Sequence, residues 1–142
     1  MLIMNYKYSI CYPDQEKIEY RNEVIPANEV MNIAKNHPWK EQLMLLDSLD
    51  KNSVYYNPSL DFVCNENGRS FGLTADFNKK KELEFSLWYK RHKKVKVLFG
   101  LLGEKEKMVV DDVWSIDFDL SLKYLDYFVN GNYLMIEELY KK

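Results

Sequence analysis

The chain has 142 residues, 46% of them hydrophobic and 30% charged, which describes one globular domain spanning residues 1–142 and excludes a disordered or low-complexity protein. A formal net charge of −2 gives no global attraction for nucleic acid or for an anionic membrane. Five Gly and four Pro leave no flexible linker to divide the chain.

Residues 5–12 alternate, with Tyr6, Tyr8, Ile10 and Tyr12 on one side and Lys7, Ser9 and Cys11 on the other, a period of two that predicts a strand. Pro13-Asp14-Gln15 reads as a turn, and residues 17–21 as a shorter strand carrying Ile18 and Tyr20. Val30, Ile33 and Ala34 then fall on one face of a helix over 27–35. Pro38 cannot continue that helix, having no N–H and a ring that clashes with the previous turn, and suits the first position of a second one. Trp39, Gln42, Leu43, Leu46 and Leu49 supply the stripe of that second helix.

From residue 60 the period returns to two. Leu60, Phe62 and Cys64 lead into Asn67-Gly68, a strong hairpin signal, and Phe71, Leu73, Ala75 and Phe77 share one face of the next strand. After a polar turn at 78–82, Leu83, Phe85, Leu87 and Tyr89 form another strand, with Glu84, Ser86 and Trp88 opposite. Arg91-His92-Lys93 reads as a turn into a strand over 95–102, and residues 103–107 as a turn into a last strand at 108–110. The C-terminal part is helical: Leu122, Leu125 and Val129 share a face, Asp119 or Ser121 suits the N-cap, Gly131 the C′ position, and a short helix follows over 133–140. The expected fold is therefore α+β, an antiparallel meander of about five strands with helices packed on the face bearing Phe71, Leu73, Phe85 and Leu87.

Chemistry-bearing motifs are missing: no phosphate-binding loop, dinucleotide fingerprint, nucleophile elbow or His-Glu-x-x-His helix occurs. His37, His92, Cys11 and Cys64 lie on four separate elements, so neither a metal site nor a cofactor is expected. His37 reads as a surface or capping residue, and the cysteines as reduced hydrophobes. Asp111, Asp112, Asp117, Asp119 and Asp126, with Glu137 and Glu138 nearby, admit a hard-cation or acid–base reading, but no glycine-punctuated loop accompanies them. A solvated acidic face is the plainer reading, and a docking surface for a basic partner the better functional one. The run Lys90-Arg91-His92-Lys93-Lys94, with Lys96, beside Trp88, Tyr89 and Phe99, has the composition of a nucleic-acid patch. It coincides with a predicted turn in an acidic chain, so no nucleic-acid partner is expected. Trp88 lies on the face away from the core, which suits either an interface anchor or a residue under a second covering layer.

The opening Met1-Leu2-Ile3-Met4-Asn5-Tyr6 has neither the basic start nor the apolar run of a signal peptide, and no apolar stretch is long enough to span a bilayer. A cytoplasmic protein with no membrane partner is the expectation.

In general layout, Asn57-Pro58-Ser59-Leu60-Asp61-Phe62 entering the meander and Phe128-Val129-Asn130-Gly131-Asn132-Tyr133 near the end resemble the small cytoplasmic immunity proteins of bacterial toxin systems. That resemblance implies a non-catalytic module whose partner is another protein, a basic toxin domain, neutralised by occlusion of its site. Partner contacts are expected from Trp88, Asp111, Asp112, Asp117 and Asp119. The alternative is a small-ligand domain, because helices followed by a long meander also resemble the cone-shaped nuclear-transport-factor-2-like folds. Such a pocket requires an ionisable group converging on its concave side.

Overall fold

A computed structural model describes residues 3–96 and 103–141, with the side chains of 93–96 and 104–107 left aside. Among these described residues, six strands and four helices follow one another as β1 (Tyr6–Cys11), β2 (Glu19–Ile25), α1 (Ala27–Asn36), α2 (Trp39–Ser48), β3 (Ser59–Cys64), β4 (Ser70–Phe77), β5 (Leu83–Lys96), β6 (Glu104–Asp117), α3 (Phe118–Val129) and α4 (Tyr133–Leu139). A single 3₁₀ turn (Lys51–Ser53) links α2 to β3. The strands form one antiparallel sheet in the order β2-β1-β3-β4-β5-β6. The fold is thus the α+β class read from the sequence. The N-terminal hairpin joins the meander through β1, which pairs with β2 on one side and β3 on the other.

Two predicted turns are replaced by strand. β5 runs without interruption through Arg91-His92-Lys93, and β6 begins at Glu104 inside the predicted turn 103–107. Of the expected strand 95–102, residues 97–102 lie outside the described part. The two 14-residue strands pair in register from Lys90↔Val110 to Lys96↔Glu104. The sequence reads as a turn here because Lys90, Arg91 and His92 offer no apolar residue to mark an alternating face.

Helices cover one face only. Tyr6, Leu60, Phe62, Phe71, Leu73, Phe85, Leu87 and Tyr89 point toward them and are buried with Val30, Trp39, Leu43, Leu125, Phe128 and Ile136. Aromatic edges lock the layers together: Trp39 meets Phe85 edge-on at 5.0 Å, and Phe128 stacks on Phe71 at 5.7 Å between centroids. Tyrosine hydroxyls at the core find partners, buried Tyr6 donating to the Val129 carbonyl at 3.0 Å and half-buried Tyr140 to the Leu87 carbonyl at 2.9 Å. Pro38 is the N-cap of α2, one residue earlier than expected, and Asp117 caps α3 in place of Asp119 or Ser121, its carboxylate accepting from the Leu120 N–H at 2.8 Å. Gly131 takes φ +73° just past α3, the C′ position read for it.

Cys64 lies buried on the helix side, paired with Tyr6, whereas Cys11 pairs with Ser59 at the other end of the strands. Both are free, and their side chains face opposite sides of the sheet, which no disulfide spans. No helix among the described residues is long and apolar enough to cross a membrane.

The open face of the sheet as a candidate functional site

The face turned away from the helices carries Ser9, Asp61, Gly72, Trp88 and Asp112 in a single row, each directly opposite the next across the strands. A neighbouring row contains Cys11, Ser59, Thr74 and Ser86. Direct cross-strand partners share a face, so the register alone fixes this composition.

Phase along β6 is reset by a bulge. Leu87 pairs with Val113 but Phe85 with Ile116, so Ser86 stands opposite both Trp114 and Ser115. Ser115 takes the left-handed φ of +64°. Without this extra residue, Ser115 and Asp117 would point at the core and Ile116 at solvent. With it, Ile116 turns inward, Trp114 stays on the open side and Asp117 joins it there.

Trp88 and Trp114 therefore lie side by side, centroids 6.5 Å apart and planes tilted by 55°. Trp88 is 36% exposed and Trp114 66%, values far from those of core tryptophan Trp39. Their indole N–H groups are tethered, Trp88 to the Thr74 hydroxyl at 3.1 Å and Trp114 to the Asp112 carboxylate at 2.5 Å. Thr74 is itself fixed by the Ser59 hydroxyl at 3.1 Å, which places the ring of Trp88 through a chain of bonds running to β3. A groove of about 370 Å³ opens beside the pair, lined by Thr74, Asp76, Glu84, Ser86, Trp88 and Trp114 among others.

Gly72 forms part of the floor between Asp61 and Trp88. A Cβ there would come within 2.9 Å of an Asp61 carboxylate oxygen and 3.6 Å of the Trp88 Cβ. Burial pushes the Asp61 carboxyl up to about 6, against the opposing pull of Lys90.

The five residues expected to make partner contacts separate. Trp88 and Asp112 are neighbours on the open face. Asp111 shares the opposite face with Tyr89, where Arg91 holds it at 2.7 Å and reaches Glu137 of α4 at 3.6 Å. Asp117 is occupied as a helix cap, and Asp119 lies exposed in the first turn of α3. Glu138 pairs with Lys141 and Asp126 accepts from Asn130. The acidic residues adjacent in sequence are dispersed in space: Asp111 and Asp112 face opposite sides of β6, as consecutive strand residues do, and Asp117, Asp119 and Asp126 belong to the cap and body of α3. The basic run divides likewise: Lys90 faces the open side, Arg91 turns toward α4, and the His92 ring lies 2.9 Å from the Asn67 carbonyl. His37 ends α1 as its C-cap and is half-buried between Tyr12 and Trp39, where loss of water lowers its pKa to about 4.

Trp114 is the residue that sequence reasoning missed. The signal was available in Asp112-x-Trp114, the same alternation as Ser86-x-Trp88, but the bulge breaks the period immediately afterward. Among the described residues no three His, Cys, Asp or Glu side chains converge so as to hold a metal ion.

Comparison with known proteins finds no match to any family model, curated protein or solved structure.

Proposed function

We propose that this chain is a non-catalytic protein-binding module that docks a basic partner on its open sheet face and acts by occluding that partner's site. The observation that carries the reading is the exposed pair Trp88 and Trp114, each tethered by an indole hydrogen bond and set among Asp76, Glu84 and Asp112. Tryptophans of this kind anchor protein interfaces, and carboxylates around them favour a cationic counterpart. On the toxin-neutralising version, the partner is a basic toxin domain and the setting is cytoplasmic, where both thiols stay reduced. The small-ligand reading draws less support, because the helix-covered face is filled by Phe71, Phe85 and Phe128 and the cavities among the described residues open at the surface.

Affinity capture with the tagged wild-type chain and with a Trp88→Ala/Trp114→Ala variant tests the proposal. The expected outcome is one stoichiometric basic protein retained by the wild type and lost from the folded variant, whose expression alone arrests growth and whose co-expression with the wild type restores it. Equal retention by both forms would remove the open face from consideration. A retained partner with no growth effect would remove the toxin-neutralising version and leave the binding module.

A further inference from the structure

The groove beside the two tryptophans breaks a pairing rule of β-sheets. Asp76 of β4 stands directly opposite Glu84 of β5, and Glu84 directly opposite Asp117 of β6, three carboxylates in line across three strands. Like charges directly opposed on a sheet are destabilising, and strand neighbours ordinarily alternate in sign or include a neutral residue. Neither Asp76 nor Glu84 forms an ion pair with a described residue; Asp76 accepts only the N–H of Phe77, at 2.8 Å. Asp117 is committed to capping α3. Among the described residues, Asp76 and Glu84 are the only charged side chains lining the groove, and none of them is a cation.

The walls have equally definite chemistry. Trp88 and Trp114 border the same groove, their planes opened to 55° with 6.5 Å between centroids. Indole faces attract cations, most strongly where water is partly excluded. Ser86 and Asn57 add polar groups at the margin. A volume of about 370 Å³ is at the low end for small-ligand clefts and suits one long side chain rather than a segment of backbone.

We propose that this groove is the seat of an arginine side chain presented by the partner, its guanidinium lying against the two indoles and forking onto Asp76 and Glu84. Arginine fits better than lysine on two counts: its planar group stacks on an aromatic face, and its fixed fork can meet two carboxylates at once. The inserted charge also resolves the unfavourable Asp76–Glu84 opposition, so the sheet itself gains from occupancy. The inference deepens the docking proposal and rests on it for the identity of the donor as a protein.

The test uses the full chain and a blocked tripeptide, acetyl-Gly-Arg-Gly-amide, with its lysine and citrulline counterparts, followed by the two-dimensional NMR signals of the indole N–H groups. The arginine peptide is expected to shift the Trp88 and Trp114 signals saturably in the millimolar range, at least about fivefold tighter than the lysine peptide. Citrulline, uncharged but of the same shape, should give no saturation. Glu84→Gln and Asp76→Asn should each weaken the arginine peptide about tenfold while the remaining spectrum stays that of the folded protein. Equal response to citrulline, or no indole shift with arginine, overturns the proposal. Its failure differs from failure of the docking reading. A partner lost on removal of both tryptophans, with no arginine response, keeps the docking face and rejects the arginine seat. An arginine response with partner capture unaffected does the reverse.

Discussion

Ser115 holds a backbone conformation that L-residues adopt reluctantly, φ +64°, because the bulge must turn β6 by one residue between Val113 and Ile116. Replacing it by glycine removes the Cβ penalty, so Ser115→Gly should raise unfolding stability by about 0.5–1 kcal/mol in urea titration, whereas Ser115→Val should lower it by more. Two ionisable side chains set opposing pH dependences. Asp61 has a folded pKa raised from 3.8 to about 6, so its contribution is fully present below pH 3.8 and is lost as pH rises to 6. His37 has a folded pKa lowered from 6.5 to about 4, so its contribution is present above pH 6.5 and is lost as pH falls to 4. The Asp61→Asn variant should therefore be more stable than wild type at pH 7, on the order of 1–2 kcal/mol, and the gain should vanish below about pH 4. Chemical denaturation at several pH values separates the two effects, since the falling Asp61 limb disappears in Asp61→Asn while the His37 limb remains.

At the scale of elements, α3 is held from both ends. Asp117 caps its first turn, and Phe128 in its last turn packs against Tyr6 and Phe71 at 5.7 Å each. Asp117→Ala should cost about 1 kcal/mol of cap energy. Part of this is returned by removing a charge opposite Glu84, so the loss measured by thermal unfolding should shrink at low salt, where that repulsion is strongest. Phe128→Ala, emptying a fully buried site, should cost about 3–5 kcal/mol. These elements were legible in sequence for a simple reason: α1, α2, α3, β3 and β4 each bury one face, and burial imposes a period. The predicted helix face Val30, Ile33, Ala34 and the strand face Phe71, Leu73, Ala75 emerge intact. What stayed hidden has no such imprint. Past Tyr89 on β5, Arg91 meets Asp111 and Glu137 and His92 meets the Asn67 carbonyl instead of an apolar layer, so this stretch carries no alternating imprint and resembles a turn. The tryptophan pair was half-legible, with Trp88 in phase on its strand and Trp114 concealed by the bulge, while the apparent acidic cluster of Asp111 to Asp119 came apart because adjacency along a strand is opposition in space.

For the molecule as a whole, the proposed docking makes the two faces of β6 experimentally separable. Asp112→Lys changes charge beside the tryptophans, whereas Asp111→Lys sets a cation against Arg91 on the helix side. The first should slow association with the captured partner several-fold at low ionic strength and flatten its salt dependence without altering the unfolding midpoint. The second should lower the midpoint and leave the association rate of the folded fraction near that of wild type. Stopped-flow mixing at several salt concentrations, paired with unfolding curves, reads both.

The position of β1 between β2 and β3 has a consequence for the order in which the molecule can be made. Its second neighbour, β3, is synthesised only after both α1 and α2, and the apolar side of the completed sheet waits longer still for Leu125, Phe128 and Ile136. At translation speeds of about 5–20 residues per second, a nascent chain holding β1 to β6 presents Phe62, Phe71 and Leu87 to the surrounding solution for seconds before α3 and α4 arrive. Slowing the ribosome between residues 104 and 118 should therefore divert this protein into inclusion bodies, and holding a chaperone at that stage should recover it.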